Sequence, residues 1–139
     1  MPKSATQTLG LIKESPVPIC FNQIKFHADI TVSTNVIGIF KDALEALDAQ
    51  YHARFKEGES ARGLIYDRAH IIDCMLHYAW HQSSWSDNIS LIAIGGYGRG
   101  ELHPKSDIDL LLLLTNDPDT KDYESSQEFL TLLWDIGLN

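Results

Sequence analysis

The amino-acid sequence predicts an α+β (α/β-like) domain, a small mixed sheet with flanking helices preceded by a helical hairpin. Three observations carry this. Apolar residues recur at helical spacing through two consecutive stretches before residue 86. The period then changes to two short apolar runs separated by a glycine-rich segment. A further amphipathic stretch follows at Tyr123 to Ile136. Helices before and after a few buried strands form a layered α+β arrangement.

The elements follow in order. Residues 1–33 form an arm with no decisive pattern; Ser15-Pro16-Val17-Pro18 is extended or turning, and the alternation Ile24-Lys25-Phe26-His27 fits a short strand or nothing regular. Residues 34–86 read as the helical hairpin. Phe40, Leu44, Leu47, Tyr51 and Phe55 mark one helix face, with Thr34 or Asn35 as its cap. Gly58 stops this helix and Ser60 caps the next, whose apolar face runs through Leu64, Ile65, Arg68, Ile71, Ile72, Met75, Leu76 and Ala79. Residues 87–139 read as the core of the functional domain. Ile89 to Ile94 is a buried strand, Gly95 to Ser106 a loop, and Asp107 to Leu114 a second strand. The helix Tyr123 to Ile136 turns Phe129, Leu130, Leu132, Leu133 and Ile136 inward and stops at Gly137. Leu138-Asn139 reads as the entry to another strand, so the sheet is expected to be incomplete at the C-terminus, with an open apolar edge.

Composition narrows the function classes. The chain has 139 residues, a single domain's length, with 44% hydrophobic and 22% charged residues, which excludes a disordered or low-complexity segment. Net charge is −8, and residues 107–139 hold eight of the 19 acids against one base, Lys121. Such an end is unsuited to a nucleic-acid surface, which needs Lys and Arg. It remains compatible with a nucleotide, because carboxylates hold phosphate through a bridging metal. Two cysteines, Cys20 and Cys74, make no disulfide framework, and Cys74 reads as a buried core residue. No apolar signal region is read in the first twenty residues, and the longest apolar run, Leu110 to Leu114, is far shorter than the roughly 20 residues that span a bilayer. The expected location is the cytoplasm, with no membrane partner.

The informative stretch is Ile94 to Leu114, I-G-G-Y-G-R-G-E-L-H-P-K-S-D-I-D-L-L-L-L-L. It fails the Rossmann spacing, because Glu101 stands where the third glycine belongs, and it fails the P-loop pattern, because Pro104 stands in place of the second glycine. Both patterns also require a helix after the loop, and an acidic, leucine-rich strand follows instead. Gly95 and Gly96 admit a polyphosphate close to the backbone. Arg99 can pair with phosphate oxygens. Asp107 and Asp109, two apart, present both carboxylates on one face, as expected for a pair compensated by a cation in an apolar sheet. Two carboxylates beside a phosphate-sized gap suit Mg2+.

The order strand, Gly95-Gly96, short loop, Asp107-Ile108-Asp109, apolar strand resembles the signature of the polymerase-beta-like nucleotidyltransferase superfamily. The fuller string from Gly95 to Leu113, with L-W-D-I-G-L at 133–138, is similar to the N-terminal nucleotidyltransferase domain of the bacterial bifunctional uridylyltransferase/uridylyl-removing family that acts on the PII nitrogen-signalling protein. The resemblance implies a polymerase-beta-like nucleotidyltransferase fold and transfer of UMP from UTP to a PII tyrosine, with release of pyrophosphate and a need for Mg2+. It implies that Asp107 and Asp109 are the catalytic, metal-binding pair. Gly95 and Gly96 would cradle the triphosphate, with Arg99 and Ser106 as supporting contacts. The family places a third acid on a later strand, and no residue here matches it; the family's later domains are also absent, so the fragment alone is expected to be inactive. Another nucleotide or acceptor, as in an adenylyltransferase, and a non-catalytic nucleotide-binding fragment are the alternatives.

Other features have plainer readings. His70, Asp73, His77 and His81 share a helix face and read as solvated rather than metal-binding; Trp80 and Trp85 read as core or domain-contact residues. His103 reads as turn-stabilising, and Asp117, Asp119 and Asp122 lack the glycine and glutamate of a calcium loop.

Overall fold

The computed structural model describes residues 21–138. Residues 1–20, with the Ser15–Pro18 segment and Cys20, lie outside that range, as does Asn139. Three helices lead, α1 Gln23–Val32, α2 Val36–Lys56 and α3 Ala61–Trp80. Strand β1 Ile89–Ala93, the single turn α4 Gly95–Gly98, strand β2 Leu110–Leu114 and helix α5 Thr120–Ile136 follow. The α+β class holds, with the sheet antiparallel rather than mixed among the described residues.

The segment read as a possible short strand is α1. Asn22 caps it, its side chain accepting from Lys25 N at 2.9 Å. Phe26 and Ile30, four apart, turn into the core while Ile24 is 85% exposed. Helix α2 starts at Asn35, whose side chain accepts from Gly38 N. Phe40 and Leu47 are buried as expected, but Phe55 faces solvent near the helix end. Ser60 takes the cap position of α3 without a side-chain hydrogen bond. Arg54 instead ties the link together, donating to Glu59 and to Asp67. All eight apolar-face residues expected on α3 are buried, Arg68 included.

Helix α5 begins at Thr120, capped by Asp119, which accepts from Asp122 N at 2.7 Å. Phe129, Leu133 and Ile136 are buried, and Leu132 packs partly against the core; Leu130 instead lies on the solvent side. Gly137, with φ +86°, ends the helix in the left-handed region, and Leu138 N donates to Leu133 O at 2.9 Å. Leu138 is buried there as the hydrophobic closure of the helix end. Trp80 and Trp85 stack with centroids 3.7 Å apart and both meet Phe129 edge-on, so they are core residues.

The two strands pair from Ile89 with Leu114 to Ala93 with Leu110. The aspartates precede β2 rather than lying within it. Burial of β1 is one-sided and weaker than expected: Ile89 is buried, while Ile92, Leu111 and Leu113 are exposed on the far face. Only the face carrying Leu91 and Leu110 packs against the core under α3.

Candidate functional site

The site is built where the two strands open. Pairing extends one step past β1, with Ile94 N donating to Asp109 O at 3.0 Å, and this brings the next residue, Gly95, against the Asp109 side chain. Gly95 has φ +62°, and a Cβ there would stand 2.6 Å from Asp109 Oδ2. The left-handed φ favours glycine here, and a side chain would also displace the Asp109 carboxylate. The chain then winds through one helical turn, where a plain loop was expected: Gly98 N donates to Ile94 O at 2.8 Å and Arg99 N to Gly96 O at 3.1 Å. Amide hydrogens at the start of such a turn have no earlier carbonyl within the helix to receive them.

The rest of the loop is moored to α3. Gly100, with φ +74°, lets the backbone pass Tyr66. Leu102 is 1% exposed and its amide donates to Ile65 O. Arg68 Nη2 donates to Pro104 O at 3.3 Å, while Arg68 Nη1 pairs with Asp48 of α2. Ser106 N donates to His103 O, which closes the loop and gives His103 a backbone part in that turn.

These moorings leave an open hollow of about 470 Å³ lined by Gly96, Tyr97, Arg99, Glu101, His103, Lys105, Ser106, Asp107 and Asp109. Five of the six candidate residues therefore line one space, and the sixth, Gly95, lies against Asp109 at its edge. Asp107 and Asp109 are both exposed, with the half-buried Ile108 between them. The alternation of faces is as expected. The anticipated burial is not present, so desolvation does not contribute to the pair's demand for a cation. Three carboxylates and two permanent cations share the lining, and Arg99 Nε lies 3.6 Å from Glu101 Oε2. A triphosphate entering alone would meet a net negative wall.

That donor set fits Mg2+. The ion prefers hard oxygen ligands and typically takes one or two protein carboxylates, completing its shell with water and phosphate. Among the described residues no group of three or more His, Cys, Asp or Glu is placed to hold a metal; Asp107 and Asp109 are the carboxylates in the hollow that could take one.

Tyr97 is a residue whose part in the site the sequence did not disclose. It is 4% exposed, and its hydroxyl donates to Asp73 Oδ1 on α3. Burial first, then the Asp73 hydrogen bond and charge, push its hydroxyl above the ordinary tyrosine range. Asp73 is thus engaged with the loop. On the same helix face His77 and His81 set their rings 4.3 Å apart, and burial, with the neighbouring His81 second, lowers the His77 pKa. Asp122 accepts from the hydroxyl and amide of Ser86, as well as lying in the first turn of α5. Its position is structural rather than that of a calcium ligand.

Residues 81–136 match the family profile described as "Nucleotidyltransferase domain". The particular likeness is to proteins named "Bifunctional uridylyltransferase/uridylyl-removing enzyme". The chain is 47% identical to that of Pseudomonas savastanoi pv. phaseolicola and 45% to that of Pseudomonas putida, each over 123 residues. It is 46% identical over 127 residues to that of Ectopseudomonas mendocina. In each case the match takes in 87% of this chain and 14% of the relative, so the chain spans about a seventh of these curated relatives. No solved structure matches the chain. Among the described residues no helix is long and apolar enough to cross a membrane.

Proposed function

We propose that this chain is the nucleotide-binding part of a cytoplasmic, Mg2+-dependent uridylyltransferase that moves UMP from UTP to a tyrosine of the PII signalling protein and releases pyrophosphate. The observation that carries the reading is the convergence of Gly96, Arg99, Ser106, Asp107 and Asp109 on one hollow, with Gly95 held against Asp109. Identity of 45–47% to enzymes named for uridylyl transfer supports the choice of nucleotide.

In this reading the tyrosine hydroxyl oxygen bonds to the α-phosphorus, the bond from that phosphorus to the oxygen bridging to the β-phosphorus breaks, and the hydroxyl proton passes to solvent. Gly95 and Gly96, without side chains, let the triphosphate reach the backbone of the turn. Arg99 exchanges its long contact with Glu101 for phosphate oxygens, which its planar fork matches. Ser106 offers a hydroxyl from the closing turn. Asp107 and Asp109 hold Mg2+, which supplies positive charge against the triphosphate and the leaving pyrophosphate. Two carboxylates suffice for binding, and we place turnover in the longer chain that the relatives represent.

Calorimetry of the chain with UTP, CTP and ATP, with and without Mg2+, tests the nucleotide. Binding of UTP that requires Mg2+ is expected; equal or tighter binding of ATP would shift the reading to an adenylyltransferase. Transfer of label from α-labelled UTP to PII by the full-length protein tests the acceptor, and absence of label there would remove PII from the reading.

A further inference from the structure

The turn Gly95–Gly98 carries a single side chain. Gly95, Gly96 and Gly98 offer none, and a Cβ on Gly98 would stand 2.7 Å from the Ala93 carbonyl oxygen, so bulk is excluded there. Any side-chain hold on this turn therefore passes through Tyr97. Its ring belongs to the core, and its hydroxyl reaches Asp73, 24 residues earlier on α3. Glycine loses more conformational freedom on ordering than any other residue, so a turn with three glycines in four positions needs an external anchor. Where that turn sits also decides how Gly95 meets the Asp109 carboxylate. Tyr97 is in addition the wall between two spaces. It lines the phosphate-sized hollow on one side and, on the other, a second cavity bounded by Asp73, His77, Trp80 and Leu91.

We propose that Asp73 and Tyr97 are a positioning pair for nucleotide binding. The hydrogen bond from α3 sets the height of the Gly95–Gly98 turn and so the gap between the glycine backbone and Asp109 that receives the phosphates. The proposal rests on the nucleotide reading of the hollow. Neither residue is assigned contact with the reacting atoms; the pair acts through the turn.

The discriminating variant is Tyr97→Phe, which keeps the buried ring and removes only the hydroxyl. Asp73 is exposed and regains water when released. The unaltered chain is compared with Tyr97→Phe, Asp73→Ala, Asp73→Asn and the double variant Tyr97→Phe/Asp73→Ala. The readouts are thermal unfolding, deuterium exchange of the amides at 94–101, and Mg2+-UTP affinity by calorimetry. Tyr97→Phe and Asp73→Ala are each expected to weaken Mg2+-UTP binding by about 10-fold, the scale of one hydrogen bond to a charged group, and the double variant by no more than either alone. Both should speed exchange at Gly95 to Gly100. Asp73→Asn keeps an acceptor oxygen and should restore affinity to within about twofold of the unaltered chain. Additive losses in the double variant, or a lower unfolding temperature with exchange and affinity unchanged, would overturn the pair and leave Tyr97 a core filler. If the unaltered chain binds no Mg2+-UTP, the nucleotide reading fails and takes the nucleotide role of the pair with it. Intact binding with an insensitive turn defeats the pair alone.

Discussion

Asp109 Oδ2 occupies the space that a side chain on Gly95 would need, at 2.6 Å from a Cβ built there. A backbone element at the end of one strand and a carboxylate at the start of its antiparallel partner are thereby fixed against each other, through the Ile94 N to Asp109 O hydrogen bond. Gly95→Ala should disturb both at once. A residue with a Cβ in the left-handed region costs about 1–2 kcal/mol, and the methyl group would push the Asp109 carboxylate toward the hollow. Chemical denaturation should show a loss of that order, and calorimetry should show Mg2+-UTP binding weakened by more than the stability loss explains.

Asp107→Asn and Asp109→Asn should separate function from folding. Both side chains are exposed and neither is engaged with a cationic side chain in the described ion pairs. Removing one negative charge relieves repulsion within the hollow, so without Mg2+ the variants should unfold at or slightly above the temperature of the unaltered chain. Mg2+-dependent UTP binding should be lost. In the full-length enzyme, turnover should fall by about two orders of magnitude or more, as when a preorganised electrostatic group is removed. An Asp109→Asn enzyme with near-normal turnover would end the assignment.

Much of this was legible in the sequence, for reasons that can be named. The α3 face from Leu64 to Ala79 repeats its apolar residues over about four turns, and a period that long has one structural meaning. The glycine and aspartate positions were legible because turns and close approaches restrict residue type. Helix α1 was not, since Phe26 and Ile30 give one helical interval and Ile24 mimics strand alternation. The turn at Gly95–Gly98 was hidden because three of its four residues are poor helix formers; the Ile94 carbonyl and the Tyr97 anchor impose it. Exposure of Leu130 and of the Asp107–Asp109 pair depends on what packs nearby, which no local pattern encodes. The Tyr97–Asp73 and Arg68–Pro104 contacts join residues 24 and 36 apart and have no sequence signature at all.

Arg99 and Lys105 line the same hollow but should differ in effect. Arg99 lies in the glycine-flanked part of the loop, close to Gly96, and its guanidinium presents a planar fork. Arg99→Lys should weaken Mg2+-UTP binding more than Lys105→Ala. Glu101→Gln should tighten it modestly, because Arg99 is then released from its 3.6 Å contact. A reversed order for Arg99 and Lys105 would make Lys105 the phosphate contact.

A polar joint ties α5 to the segment leading into β1. Asp122 is 3% exposed and its carboxylate accepts from both the hydroxyl and the amide of Ser86. Those two bonds favour the charged form and hold the carboxyl below its usual 3.8. The sign follows from proton binding: the unfolded chain takes up this proton at higher pH than the folded chain. The stabilisation is therefore fully present above about pH 4 and is lost as pH falls below the ordinary aspartate value toward the folded one. Asp122→Ala should lower the unfolding temperature at neutral pH, because Ser86 loses both acceptors, and should flatten the part of the acid-unfolding curve that this group supplies. Ser86→Ala should remove only the hydroxyl contribution and so fall between the two. Acid-unfolding curves that are parallel for Asp122→Ala and the unaltered chain would show that the Ser86 bonds do not set this carboxyl's titration, and that the joint is held instead by the Ser125 hydroxyl donating to Ser84 O and by Phe129 against the stacked Trp80 and Trp85.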